Sequence, residues 1–169
     1  MTAEHTGPLR RDDALALWQE YLAHGAPASA DQEEPAVEQF GDSAAMADEL
    51  IDLVLAGTKR ATAALVADFA AEGEPLPRIG GHWVACDGAG VPRCVLRSVG
   101  LRLGPLASVD DAFAWDEGEG ERTRDSWLAG HLTYFARTQA ARGEAWSDDL
   151  EVVFERFSVV WPPEFADRR

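Results

Sequence analysis

Cysteine is scarce in this chain. Its 169 residues contain two, Cys86 and Cys94, which are neither in CxxC spacing nor near a His pair. That pattern excludes a zinc ribbon and a disulfide framework, and buried free thiols are the expected state. Long apolar runs are missing too. The longest is broken by Asp52, and Met1–Arg10 has no hydrophobic segment, so no signal peptide or membrane span is expected and the cytoplasm is the default compartment. Positive charge is in short supply, with 15 Lys and Arg against 30 Asp and Glu and a net charge of −15. Such a chain repels phosphate backbones at long range, which excludes extended duplex DNA as a partner. A local basic pocket for one nucleotide or a short strand stays compatible with it. No internal repeat is visible, which removes a solenoid.

What is present is an ordinary globular composition, 46% hydrophobic and 27% charged. A chain of this length buries roughly 70% of its unfolded surface in one domain. Residues 1–9 read as a flexible lead. Leu15, Leu17, Trp18, Tyr21 and Leu22 predict a peripheral amphipathic helix over Arg11–His24, and Ala26–Pro35 reads as an acidic, Pro-containing linker. Asp42 or Ser43 caps a second helix, whose stripe of Met46, Leu50, Leu53 and Val54 repeats at helical spacing. Gly57 suits the left-handed residue that closes it. Lys59 then follows the negative end of the helix dipole.

Ala61–Leu65 reads as a short strand, Val66–Glu72 as a brief helix, and the prolines of 73–77 as a rigid loop. His82–Cys86 and Arg93–Leu103 form a hairpin of strands around the turn 87–90. Val109–Trp115 is a short helix, followed by an acidic loop from Asp116 to Glu121. Thr123 caps a third long helix carrying Trp127, Leu128, His131, Leu132 and Phe135. Alternation over Leu150–Trp161 gives a last strand, ended by Pro162-Pro163. The order of elements predicts an α+β fold on a small, largely antiparallel barrel, with a domain at 40–163 between an N-terminal helix and linker (1–39) and a tail (164–169).

Four blocks in this order resemble the ASCH domain family: Phe40-Gly41-Asp42-Ser43, the helix into Gly57-Thr58-Lys59-Arg60-Ala61-Thr62, the loop Glu72–Pro77, and Ala114-Trp115-Asp116-Glu117-Gly118-Glu119-Gly120. The resemblance spans about Phe40 to Pro162. It implies a PUA-like β-barrel with surrounding helices and a cleft that admits nucleobases or RNA. Some small members of the family are amidohydrolases acting on N4-acylcytidines, and by position their Lys, Thr and Glu fall on Lys59, Thr62 and Glu119. A longer relative is a metal-dependent ribonuclease for single-stranded RNA.

Amide hydrolysis needs a nucleophile, a base and an oxyanion stabiliser. Thr62 offers a hydroxyl, Lys59 an amine or ammonium, and Glu119 a carboxylate. Direct contact between Glu119 and Lys59 would favour an electrostatic role for the lysine. Residues three apart in a straight strand face opposite ways, so Lys59 and Thr62 converge only if Thr58–Ala61 is not regular strand. Thr58, Arg60, Trp83, Arg97, Trp127 and His131 are the candidate substrate-binding residues. This reading needs no cofactor.

Ribonuclease chemistry would instead need a divalent cation, Mg or Mn, on carboxylates of the acidic block, from Asp116 and chiefly from Glu117, Glu119 and Glu121. Trp115 is a further candidate for stacking an unpaired base. The expected partner is a modified nucleoside or a short single-stranded RNA, with no membrane, bound by a monomer or homodimer. A non-catalytic reader of RNA or modified bases is the third possibility.

Overall fold

The computed structural model describes residues 7–168. Residues 1–6 of the expected lead and Arg169 of the expected tail lie outside the described residues. Among the described residues five α-helices and five strands follow in the order α1 (Arg11–His24), β1 (Ala36–Gln39), α2 (Ala44–Leu55), β2 (Ala61–Leu65), α3 (Val66–Glu72), β3 (His82–Cys86), β4 (Pro92–Pro105), α4 (Asp111–Glu117), α5 (Arg124–Ala141) and β5 (Glu151–Trp161). The strands pair in the order β1-β3-β4-β5-β2. β3–β4 and β2–β5 are antiparallel, and β1–β3 is parallel. This is the α+β class expected, on a mixed and mostly antiparallel sheet. None of the described helices is long and apolar enough to cross a membrane.

The chain divides into two compact units, and β4 and β5 contribute residues to both. The first comprises residues 7–58, 79–99 and 157–168 of the described chain. Here the sheet is buried on both faces, because successive side chains of a strand point opposite ways. Val84 and Val95 pack with Trp18 and Tyr21 of α1. Ala85, Cys94 and Leu96 pack with Leu50, Ile51 and Val54 of α2 and with Phe157. A helix on each face explains why 94–96 reads as an unbroken apolar run rather than an alternation. Both cysteines are buried and free, as expected. Burial and the neighbouring Asp87 push the Cys86 thiol up to about 11, so it stays protonated at neutral pH.

Two elements of this unit escape the sequence patterns. The expected linker 26–35 contains a 3-10 turn, Ala28–Gln32, and the strand β1 follows it. β1 is only four residues long and carries Glu and Gln, so it has too few apolar positions to signal a strand. Its parallel pairing with β3 supplies the order instead.

α2 begins and ends as its sequence dictates. Ser43 Oγ accepts the Met46 N–H at 3.2 Å. At the other end Gly57 adopts φ 86°, its N–H donates to Val54 O at 3.0 Å, and Thr58 N–H donates to Leu53 O at 3.0 Å. These are the two bonds of a Schellman stop. A Cβ at that φ is disfavoured by about 1–2 kcal/mol, so Gly57→Ala should destabilise the protein by about 1 kcal/mol. Urea unfolding with an unchanged m-value would register it.

The second unit, residues 59–78 and 100–156, holds one core. Ala61, Leu65, Val152 and Phe154 of the β2–β5 pair face Phe113 and Ala114 of α4 and Trp127 and Phe135 of α5. Asp110 caps α4 by accepting the Phe113 N–H at 2.7 Å. Thr123 caps α5 by accepting the Ser126 N–H at 3.2 Å. The expected acidic loop is shorter than its sequence suggests. Asp116 and Glu117 belong to the last turn of α4, which Gly118 closes at φ 72°. A helical Glu117 therefore points with Phe113 and Ala114 into the protein, whereas a loop residue would be solvated.

Candidate active site around Lys59

Lys59 is the only lysine in the chain, and it is 1% exposed. The segment Thr58–Arg60 between Gly57 and β2 is irregular, and strand begins at Ala61. The expected break in the strand is present over 58–60 and stops one residue short of the range assigned to it. The Arg60 N–H donates to Asp116 O at 2.7 Å, tying this segment to the end of α4. Arg60 also folds back, its Nη1 donating to Lys59 O at 2.7 Å. Arg156 fixes Asp116 through Nε–H to Oδ2 at 2.8 Å.

Lys59 Nζ donates to Glu119 Oε1 at 2.7 Å and lies 3.4 Å from Glu117 O. It also stands 3.5 Å from Glu117 Oε1. Several acceptors around one nitrogen match the three N–H donors of an ammonium. Glu117 is buried to the same degree, and its carboxylate accepts from Trp127 Nε1–H and, at 2.9 Å, from His131 Nε2. The other ring nitrogen of His131, Nδ1, is 2.9 Å from Trp127 O. A carbonyl can only accept, so Nδ1 carries a hydrogen, and a carboxylate at Nε2 demands the second. The ring is thus an imidazolium, stacked on Trp127 with centroids 3.8 Å apart.

The electrostatics agree with this assignment. Burial alone would raise the Glu117 carboxyl, but Lys59 and His131 outweigh it and hold it below the ordinary glutamate range. Burial would lower His131, and Glu117 reverses that and raises it. Two cations and two carboxylates make a neutral cluster. Glu119, with a 30% exposed side chain, is the member that solvent reaches.

The other expected residues are distributed as follows. Thr62 is half-buried in β2, paired with Glu155 in register. Its neighbours Ala61, Ala63 and Leu65 face the core, which leaves Thr62 on the opposite face of the strand. Trp83 packs half-buried on Phe40 and Phe157, and Arg97 is exposed. Both belong to the first unit, as does Thr58. Glu121 is exposed. The donor atoms of Glu117, Glu119 and His131 lie within 4.8 Å of one another, so His131 stands where Glu121 was expected. Sequence reasoning placed Trp127 and His131 one helical turn apart but had no means to see that one buried carboxylate bridges them.

The family model for the ASCH domain matches residues 36–161. An ASCH domain structure from Lactobacillus crispatus JV V101 is 25% identical, with a TM-score of 0.80, covering 89% of this chain and 96% of its own. Protein EF3133 from Enterococcus faecalis V583, with family-model DUF984, is 28% identical at a TM-score of 0.76, covering 88% of each chain. No curated protein matches the chain. By the extent of the family match and the shared PUA-like fold, this chain belongs to the ASCH domain family.

Proposed function

We propose that the protein is a hydrolase of a modified nucleoside, cleaving an exocyclic amide of the N4-acylcytidine type. The observation that carries this reading is the Lys59–Glu119 pair, a buried ammonium 2.7 Å from a carboxylate that solvent reaches. Burying Lys59 and Glu117 contributes little to stability compared with apolar residues of the same size, and such clusters gather at reactive sites.

Contact with Glu119 gives Lys59 the electrostatic role. Its ammonium stabilises the oxyanion that forms when the amide carbonyl is attacked. Glu119 takes a proton from the attacking water and passes it to the departing N4 amine, and the acyl group leaves as the free acid. Glu117 and His131 touch no substrate in this scheme and hold Lys59 in place.

The carboxylate–imidazole trio favours a second reading, metal-dependent cleavage of single-stranded RNA, because oxygen and nitrogen donors at this spacing suit a divalent cation. The fit is poor. The Lys59 ammonium already engages Glu119 and Glu117, and Trp127 and His131 take the remaining Glu117 lone pairs. A dication would have to displace a buried cation.

The test is release of acetate from N4-acetylcytidine, measured with and without EDTA and beside labelled single-stranded RNA. Turnover that survives chelation and falls at least 100-fold in Glu119→Gln supports the amidohydrolase. RNA cleavage abolished by chelator would replace it with the ribonuclease. Binding without either reaction would leave a reader of modified bases. Thr62→Val should keep turnover, because Thr62 lies on the other face of β2 from the cluster, and loss of turnover would implicate the hydroxyl instead of water.

A further inference from the structure

Next to the ion cluster the chain builds a second feature that the scheme above does not use. Trp115, in the last turn of α4, is 58% exposed. Arg122 lies over its ring, with Cζ 3.7 Å from the centroid, and its Nε–H donates to Trp115 O at 3.0 Å. The Arg122 N–H donates to Glu119 O at 3.1 Å. The same four-residue turn therefore starts at the solvent-reached carboxylate and ends on the tryptophan. Arg122 holds φ 57°, and no other non-glycine among the described residues has a positive φ. That conformation costs about 1–2 kcal/mol, and no glycine relieves it here although Gly118 and Gly120 do so in the same turn.

The strained residue presents one useful group. Neither Nη nitrogen of Arg122 has an acceptor within the described protein. Five carboxylates stand in the surrounding stretch 116–125, at Asp116, Glu117, Glu119, Glu121 and Asp125. Asp116 is held by Arg156, Glu117 and Glu119 are held by Lys59, and Glu121 and Asp125 make no ion pair with Arg122 or any other described residue. What remains is an indole more than half exposed, with a forked cation stacked over one face of it. Indole faces stack bases, and guanidinium forks take phosphate oxygens in pairs.

We propose that Trp115 and Arg122 form a subsite for a nucleotide, the indole stacking the base and the guanidinium binding its phosphate. This rests on the nucleoside reading above and deepens it: the substrate carries a phosphate. In a chain of net charge −15, an anionic ligand needs such a local cation where it binds.

Calorimetric titration with cytidine and with cytidine 5′-monophosphate tests the subsite without requiring turnover. The wild-type protein should bind the monophosphate at least tenfold more tightly. Arg122→Gly, which relieves the backbone strain, should bring that ratio to about 1, and Trp115→Ala should weaken the monophosphate about tenfold. Arg122→Gln repeats the charge test with a side chain in place. A wild-type ratio near 1, a ratio kept in both Arg122 variants, or an affinity indifferent to Trp115→Ala would overturn the proposal. Deacylation of N4-acetylcytidine, run in parallel, keeps the two claims apart. Turnover with no phosphate preference sinks the subsite alone, and phosphate-selective binding without turnover sinks the hydrolase alone.

Discussion

Replacing Glu117 by Gln should lower the unfolding free energy by about 3–5 kcal/mol, the usual cost of removing one partner from a buried ion pair. The amide keeps the shape of the side chain but leaves Lys59 and His131 as buried cations with one reachable carboxylate, Glu119, between them. It also points N–H donors where Nζ or the imidazolium needs an acceptor. For a chain of this size the loss corresponds to a fall in Tm of about 6–20 °C. Thermal melts at pH 7 would measure it, and a fall of under 2 °C would mean that the cluster is not held together by charge.

The pH dependence of stability gives the same cluster a second signature. Glu117 has its pKa depressed on folding, so its contribution is complete above the unfolded glutamate value near about 4.3. It is lost as the pH falls through the lower folded value. His131 is raised, so its contribution is complete below about 6.5 and is lost as the pH rises through the higher folded value. Stability should therefore form a plateau between the two limbs. His131→Gln should erase the alkaline limb and shrink the acid limb to the part that Lys59 supports, as read from urea midpoints between about pH 2 and pH 9.

Lys59→Met should abolish deacylation, by at least about 100-fold in kcat/KM, because the developing oxyanion loses the one ammonium of the site. The apolar stem of methionine follows that of lysine, so the cavity stays filled. Glu117 keeps Trp127 and His131 as partners, and Glu119 is solvated. The variant should fold, which makes its activity interpretable. Lys59→Arg should not rescue it, since the larger planar fork does not fit a site built around a single nitrogen with acceptors on several sides. Wild-type turnover in Lys59→Met would remove the lysine from the chemistry altogether.

The elements around the site were mostly legible because their signals are local. Ser43 and Thr123 announce helix starts through side chains that reach the free N–H groups, and Gly57 announces a stop through the one φ that other residues resist. Lys59 and Glu119 were singled out by their blocks, and they meet. β1 stayed hidden because its order comes from the neighbouring strand β3 and not from its own four residues. Glu117 was misassigned to a loop because two flanking glycines and a run of acids look like one, although the helix continues through it to Gly118.

The sequence by itself determined where α2 begins and ends, where α5 begins, which strands alternate, and that a lone lysine follows a glycine stop. Only the tertiary structure decided that this lysine is buried and that Glu117 balances it, with His131 as the second cation. Capping and periodicity act over three or four residues and leave their mark in the chain. Charge compensation in a buried site acts between residues some sixty positions apart, and the fold alone brings them within reach.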